Sequence, residues 1–326
     1  MTIAEQITRI KNAKAAIKQS IENKGVTVSD TAKLDEYPAL INSISGGESN
    51  DYWPNFFEIR SKNADYLFAN IEILPTETRY KDLIENCDVS KSRSFASTFE
   101  RFCDSDGCIT ELDLTKWNTS KGLSFATMFD GCRLDYLNIS GWDFSSILST
   151  SCQLFMGAAI KEINMANCNT SNVITLYRLA YQASDLVSID ITGCDTSAVT
   201  AVTSAFAYCP KLTTIIGEID ASNVSGLYPG SSTGLFYKCT SLETVYLKNI
   251  YKNVTTMKNE AKWSINLAET KIKDECLVYI INELPDLIND KGLTATDKIV
   301  LTLPPTNTLT EEQKQVARDK GWQVVN

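Results

Sequence analysis

The chain has 326 residues, of which 43% are hydrophobic and 22% are charged, a composition typical of folded protein rather than of disorder. No run of eighteen apolar residues occurs, so the sequence predicts no membrane insertion. The net charge of −9 argues against nucleic acid as a partner, because phosphate backbones would be repelled. The opening MTIAEQITRIKNAK lacks the apolar core of a secretory signal, and we expect no export through that pathway.

The first segment has the spacing of a coiled coil. Isoleucines recur at alternating steps of four and three residues, and Lys14 takes one seam position. Isoleucine at both a and d positions favours three or more strands, so the pattern predicts a homo-oligomer, with a trimer favoured. The alternative is one amphipathic helix that packs on its own protein. The predicted oligomerisation seam consists of Ile3, Ile7, Ile10, Ile17 and Ile21.

A second short helix is predicted within residues 31–44, beginning or bending near Pro38. The segment SGGESN at residues 45–50 is typical of a flexible linker. The predicted organisation is therefore an N-terminal helical attachment or oligomerisation segment (1–45), a linker and entry (46–58), a repeat region (59–260) and a C-terminal capping unit (261–326).

A repeat with a period of 25 or 26 residues dominates the middle of the chain. Its central apolar positions are Leu112, Leu137, Ile163, Ile189 and Ile215, and a looser copy adds Val245. Each L-x-x-L-x-L stretch alternates in polarity and predicts one strand. A polar turn follows, and a second apolar stretch ending in FDGC or FAYC predicts a short helix or a loop. No unit can bury its own apolar face, so the units must stack into a solenoid.

The cysteines follow the same period. One repeat slot is filled by Trp117, Trp142, Cys168 and Cys194. A second slot is filled by Cys132, Cys209 and Cys239, with Cys152 nearby. A slot that accepts either tryptophan or cysteine is apolar, so we expect free, buried thiols, with disulfides as the alternative. The N-x-S/T triplets at Asn118, Asn138, Asn169 and Asn223 are interpreted as turns rather than as glycosylation sites.

The chemistry that the sequence offers favours binding over catalysis. The chain has no histidine, which excludes a Ser-His-Asp or Cys-His arrangement and an HExxH zinc site. We expect no enzyme, no cofactor and no metal, although a pair of distant carboxylates could still hydrolyse a polysaccharide.

The outward face of the predicted strands is the candidate binding site. One outward slot holds Asp113, Asn138, Asn164 and Asp190, and the neighbouring slot holds Glu111, Tyr136, Glu162 and Ser188. Stacking would place successive members of a slot about 4.8 Å apart. Amide, carboxylate and aromatic groups on a rigid face can bind sugars or a peptide; the alternative is an ordinary solvated sheet face.

The last sixty residues leave the period. Residues 270–290 predict a helix, DKIVLTLPP a strand, LTEEQKQVARDKGW a helix with a capping box from Thr310 to Gln313, and QVVN a last strand. Such an atypical terminal unit is the cap that a solenoid needs.

The units LDLTKWNTSKGLSFATMFDGC and IDITGCDTSAVTAVTSAFAYCPKLT resemble the BspA-like leucine-rich repeats of bacterial surface proteins. In that family a W-x-T/S-S-x-V turn precedes an M-F-x-x-C stretch and then L-x-x-L-x-L, and the resemblance covers residues 60–250. The closing segment from Cys276 to Trp322 looks like the cap in virion proteins of phages infecting gut Bacteroidales. The opening segment looks like N-terminal modules of phage tail and fibre proteins.

The resemblance implies an α/β repeat fold, a leucine-rich-repeat solenoid with an N-terminal helical segment and a C-terminal α/β cap. It implies a virion structural or adhesion protein, a fibre or decoration protein. Its N-terminal helices would bind other virion proteins, and its solenoid would contact host cell-surface glycan or protein or neighbouring virion subunits. The expected location is the virion. The alternative is a bacterial cell-surface adhesin.

Overall fold

The computed structural model describes residues 14–15, 17–22, 27–29, 63–148, 153–227, 234–255, 257, 261–294, 297 and 299–326. The chain forms two compact units, residues 1–56 and 57–326. In the first unit, residues 14–15 and 17–22 are helical, and Lys18 Nζ lies 3.6 Å from Glu22 Oε1 one turn further on. Ile21 is only 2% exposed in the single chain, so the chain itself already covers this seam position. Ile3, Ile7 and Ile10 lie outside the described residues.

The second unit is a parallel β-solenoid in which each repeat contributes one short strand. Consecutive strands are neighbours in one six-stranded sheet. The register pairs Leu112 with Leu137, Leu137 with Ile163, and Ile163 with Ile189, which confirms the predicted repeat slots. The strands are β1 (Glu111–Asp113), β2 (Arg133–Asn138), β3 (Ala159–Asn164), β4 (Ser188–Asp190), β5 (Thr214–Asp220) and β6 (Thr244–Lys248).

The second apolar stretch of each unit forms turns, so the helix that the sequence allowed there does not form. Within one such stretch, Thr127 and Gly131 both have positive φ, a conformation that interrupts an α-helix. Between them, the Phe129 amide donates to the Leu154 carbonyl of the next unit at 3.0 Å instead of to a carbonyl of its own turn. Such bonds between units alternate with bonds inside the turn, for example from the Asp130 amide to the Thr127 carbonyl at 3.1 Å.

Stacked aromatic rings fill the first half of the core. Phe68, Phe99, Phe129 and Phe155 follow one another with ring centroids 5.3, 5.3 and 5.6 Å apart. The rings of Trp117 and Trp142 are nearly parallel at 6.0 Å. Truncating one such buried phenylalanine to alanine costs about 3–5 kcal/mol in typical cores.

The repeat position that holds either tryptophan or cysteine places a side-chain hydrogen-bond donor against the backbone of the preceding unit. Trp142 Nε1 donates to the Leu114 carbonyl at 2.8 Å, and the thiols of Cys168 and Cys194 donate at 3.2 Å to the equivalent carbonyls of the units before them. Indole and thiol share an apolar body with one polar hydrogen, which explains why they alternate. All nine described cysteines are free and eight of them are buried. Cys152 lies outside the described residues.

The N-x-S/T triplets are turns, as predicted. Asn118 Oδ1 accepts hydrogen bonds from the Ser120 amide at 3.2 Å and from its hydroxyl at 2.7 Å. Two repeats further along the chain, Asn169 makes the same pair of bonds with Ser171. These Asx-turns use the asparagine side chains to shape the backbone.

A helix lies against each edge of the six-stranded sheet. Helix α1 (Thr78–Glu85) precedes β1, and the Glu85 carboxylate accepts the Asp113 amide at 2.9 Å. Helix α2 (Asp274–Glu283) follows β6, and the Glu283 carboxylate accepts the Asn249 amide at 2.6 Å. The two helices thus bind backbone amides at the sheet edges that would otherwise be available to pair with another strand. The sequence did not predict α1, because only Ile84 of its eight residues is buried.

The C-terminal elements build a second, three-stranded parallel sheet. Its strands are β7 (Ile265–Asn266), β8 (Val300–Thr302) and β9 (Gln323–Val325), and helix α3 (Glu311–Asp319) packs against β9 and against α2. The predicted capping box is present: Thr310 Oγ1 accepts from the Gln313 amide, and Gln313 Oε1 accepts from the Thr310 amide. Strand β7 and a 3-10 turn, Ala261–Trp263, were not predicted.

Candidate functional site

The eight residues that the sequence places in the two outward slots, Ser188 among them, lie together on the outward face of β1 to β4. The register pairs Asp113 with Asn138, Asn138 with Asn164, and Asn164 with Asp190, so they form the first row. It also pairs Glu111 with Tyr136 and Tyr136 with Glu162, which form the second row. Both rows have the predicted geometry, and their role in binding is taken up below as a proposal.

The first row also shapes the turns after the strands, a role that the sequence predicted only for Asn138. Asp113 Oδ1 accepts from the Thr115 amide at 2.9 Å, and the other members bond in the same way to the amide two residues further on. Asn138 Nδ2 also donates to Asp113 Oδ2 at 3.1 Å. Each side chain thus ends its strand with an Asx-turn, and one oxygen of each is already occupied. The second atoms of the first three members are engaged as well, because Asp113 Oδ2 bonds to Asn138 Nδ2 and Asn164 Nδ2 lies 3.4 Å from the Tyr136 hydroxyl.

Electrostatics keep the Asp113 carboxylate ionised. Its partial burial works against the charge, but hydrogen bonds from the side chain and backbone of Thr115 and from Asn138 outweigh burial, and the pKa is lowered. The row therefore carries negative charge at neutral pH.

The carboxylates of the second row are less engaged by neighbouring groups than those of the first row. Glu111 and Glu162 are exposed, and no cation among the described residues pairs with either. Tyr136 lies half-buried between them, and Asn164 Nδ2 lies 3.4 Å from its hydroxyl. An aromatic ring flanked by two free carboxylates can stack on a ligand and accept its hydrogen bonds at the same time.

A cluster at the β5–β6 end of the face was missed from the sequence. The Glu218 carboxylate accepts from the Tyr279 hydroxyl at 2.6 Å and pairs with Lys248 at 3.1 Å. These two partners lower the pKa of Glu218, the tyrosine more than the lysine. Tyr246 packs edge-on against Tyr279 with centroids 5.1 Å apart.

This cluster was missed because β5 breaks the repeat. The register shifts between Thr214 and Glu218 around Gly217, whose φ is +97°. A Cβ at Gly217 would lie 2.9 Å from the Thr192 nitrogen, so only glycine fits there. The available signal was the spacing of the apolar pair Ile215 and Ile219, which lie four residues apart, whereas Leu112 and Leu114 and their equivalents in the other units lie two apart. Tyr279 belongs to α2, outside the repeats.

An open groove of about 280 Å³ lies beside the bulge. Among its lining residues are Cys194, Asp195, Thr196, Glu218, Asp220 and Lys248. Across the parts of the chain that the structure describes, no three His, Cys, Asp or Glu side chains are grouped so as to hold a metal ion. No described helix has the length and apolar character needed to cross a membrane. The arrangement is an extended, rigid polar face rather than an enclosed pocket.

Comparison with known proteins gives one family. The model described as "Mycoplasma protein of unknown function, DUF285" matches residues 70–160 and 149–270. No curated protein and no solved structure matches the chain significantly. The matched residues contain all six strands of the solenoid sheet and fit the BspA-like repeat protein that the sequence predicts. Because the match spans more than half of the chain, the protein belongs to the DUF285 family.

Proposed function

We propose that this chain is a non-enzymatic adhesion or structural protein of a phage virion, a fibre or decoration protein. Its outward sheet face contacts host-surface glycan or protein, or a neighbouring virion subunit. The observation that supports this proposal is the second row, in which Tyr136 lies between the free carboxylates of Glu111 and Glu162 on a rigid sheet. A repeat solenoid of the DUF285 family is suited to surface binding, since stacked units create a long, fixed face.

The N-terminal segment is proposed as the attachment or self-association element. Burying one isoleucine contributes roughly 1.5–3 kcal/mol, so a seam of five could hold chains or a virion partner together. Ile21 is already covered within the single chain, whereas Ile17 is half-buried. Assembly through the seam therefore relies on Ile17 and on the three isoleucines before it.

A bacterial cell-surface adhesin is the second candidate. The observation that favours it is the family itself, whose printed description names Mycoplasma, a cellular organism. The two candidates share the binding face and differ in where the protein is found.

Mass spectrometry of fractionated material tests the proposal. Virus particles are purified on a density gradient from an infected culture, and uninfected cell envelopes are analysed in parallel. We expect peptides from both the solenoid and the cap in the particle fraction, in a constant ratio to the major capsid protein. Their absence from particles and presence in envelopes would establish the bacterial adhesin instead.

An activity assay addresses the remaining alternative. The full chain is incubated with host capsular polysaccharide, and release of reducing ends is followed over time. We expect none, and none from the Glu111→Gln and Glu162→Gln variants. Release of reducing ends that both substitutions abolish would identify a hydrolase and overturn the non-enzymatic proposal.

A further inference from the structure

A row of tyrosines lies on the turns of the solenoid, outside the sheet strands. Tyr181 and Tyr208 meet edge to face with centroids 5.5 Å apart, and Tyr208 and Tyr237 do the same at 5.3 Å. All three are half-buried and come from successive units. The solenoid therefore carries an aromatic strip at the spacing of its own units.

Arg178 lies at one end of this strip with its charge uncompensated. Its guanidinium carbon is 5.1 Å from the centroid of Tyr177 and 4.8 Å from that of Tyr181. Its Nε is buried and has no hydrogen-bond partner, and among the described residues no carboxylate forms an ion pair with it. Cation–π contacts orient the guanidinium but leave its N–H donors free.

Other cations on the solenoid form ion pairs with carboxylates. Arg133 pairs with Asp106 at 2.7 Å, Lys161 with Asp135 at 2.6 Å, and Lys238, beside the strip, with Glu269 at 2.7 Å. In a chain of net charge −9, a half-buried arginine without a carboxylate is an exception. An anionic ligand would give this guanidinium the hydrogen-bond acceptors that it lacks among the described residues.

The turn itself does not require an arginine. Position 178 has a φ of +52°, and the equivalent positions of five other units have the same left-handed conformation. Those five positions hold uncharged residues, namely Tyr66, Ser97, Thr127, Gln153 and Ser204. The backbone geometry is general to the repeat, and the charge is particular to this unit.

The remaining groups of the strip suit a sugar better than a peptide. Within the described chain, the hydroxyls of Tyr177, Tyr181, Tyr208 and Tyr237 make no hydrogen bond. The backbone amides are already used between units: Arg178 donates to Thr203 and Tyr208 to Tyr237. No strand can be added to such a backbone, which removes a common mode of peptide recognition. Phenolic hydroxyls and ring faces match the hydroxyls and the C–H faces of a pyranose.

We propose that Arg178 and the tyrosine strip bind an acidic oligosaccharide, with a uronic acid carboxylate on the guanidinium and its sugar rings along Tyr181, Tyr208 and Tyr237. The carboxylate supplies two acceptors for the parallel N–H groups of the arginine. This site lies on the turns and is separate from the proposed sheet face, so it does not depend on the function of that face.

Isothermal titration calorimetry of the full chain tests the proposal. The probes are oligogalacturonate, a neutral galacto-oligosaccharide of the same length, and a glutamate peptide. We expect binding of oligogalacturonate that weakens with salt, and at least about tenfold weaker binding of both other probes.

Two variants locate the site. Arg178→Gln is expected to weaken oligogalacturonate binding at least about tenfold, because it removes a charged hydrogen-bond pair. Glutamine already occupies the equivalent position 153, so the turn tolerates it. Arg133→Gln is the matched control and should bind as the parent does. Tyr208→Leu, with Arg178 intact, should also lose affinity.

Each contrary result overturns the proposal. Equal binding of the neutral sugar would show that the charge has no role, and equal binding of the glutamate peptide would show an acidic-peptide site. No binding by the parent chain, or an equal loss in Arg133→Gln, would show that the strip is not an acidic-sugar site.

Discussion

Replacing Trp142 by phenylalanine isolates the hydrogen bond that links neighbouring units. The indole is 1% exposed, and its Nε1 donates to the Leu114 carbonyl at 2.8 Å. Phenylalanine keeps an aromatic ring against Trp117 and Phe129 but removes the donor. The Leu114 carbonyl then keeps only the hydrogen bond that it accepts from the Trp117 amide at 3.0 Å.

Trp263 provides a matched control for the loss of unfolding free energy. Trp263 is also buried, at 6% exposed, but its Nε1 has no hydrogen-bond partner. Both substitutions remove the same ring atoms, so the packing losses largely cancel in the comparison. Losing one hydrogen bond while the carbonyl keeps another costs about 0.5–1.5 kcal/mol, and removing an unsatisfied donor costs nothing of this kind. Trp142→Phe should therefore lower the free energy of unfolding by about 0.5–1.5 kcal/mol more than Trp263→Phe does.

Guanidinium denaturation followed by far-ultraviolet circular dichroism measures both variants, because this signal does not rely on the tryptophan that is removed. Equal losses from the two substitutions would refute the idea that this repeat position serves to donate a hydrogen bond to the preceding unit. The tryptophan–cysteine alternation would then reflect apolar packing alone.

Three further predictions concern thiols, protons and assembly. In denaturant without reductant, ten thiols should react, and fewer than about eight would contradict the buried, reduced slots. In the native chain Cys194 should react first among the described cysteines, because the others are buried and because burial, followed by the charge of Asp88, raises the pKa of Cys87 to about 11. The pKa values of Asp113 and Asp220 are lowered in the folded chain, so their Asx-turns stabilise the fold fully above about pH 5 and lose this contribution as the pH falls through the lowered folded-state values. The denaturation midpoint should therefore be lower at pH 3 than at pH 6, and the difference should be smaller in Asp113→Asn. A midpoint that does not change with pH would contradict this. Light scattering should give a trimer for the full chain and a monomer for a chain beginning at Asn50; a monomer mass for both would show that the seam does not drive self-association.

The repeat could be predicted from the sequence because it depends on regular spacing. The alternation around Leu112, Leu137 and Ile163 fixes both the buried slot and the outward rows, since side chains on a strand point alternately to its two faces. The capping box at Thr310 was equally local. Each of these features depends on residues whose partners lie at a constant sequence distance.

The features that were missed depend on irregular partners. Helix α1 is short and mostly polar, with only Ile84 buried, and it is held through its end, where Glu85 accepts the Asp113 amide. The Glu218 cluster needs the bulge at Gly217 and a tyrosine from α2, 61 residues away. The turn role of Asp113 was missed because an outward polar residue was taken only as a surface group, although Asp or Asn with a polar or small residue two positions later is typical of an Asx-turn.

Whole-cell binding tests the central claim, that the sheet face is a contact surface, most directly. Fluorescently labelled full chain is titrated onto intact gut Bacteroidales cells, beside a Tyr136→Ala/Glu162→Gln variant and a Tyr80→Ala control. Tyr80 is 47% exposed and lies on α1, away from both rows. We predict saturable binding by the parent chain and the control, and at least about tenfold weaker binding by the face variant. Equal binding by all three chains, or no binding by the parent chain to any strain, would contradict the account.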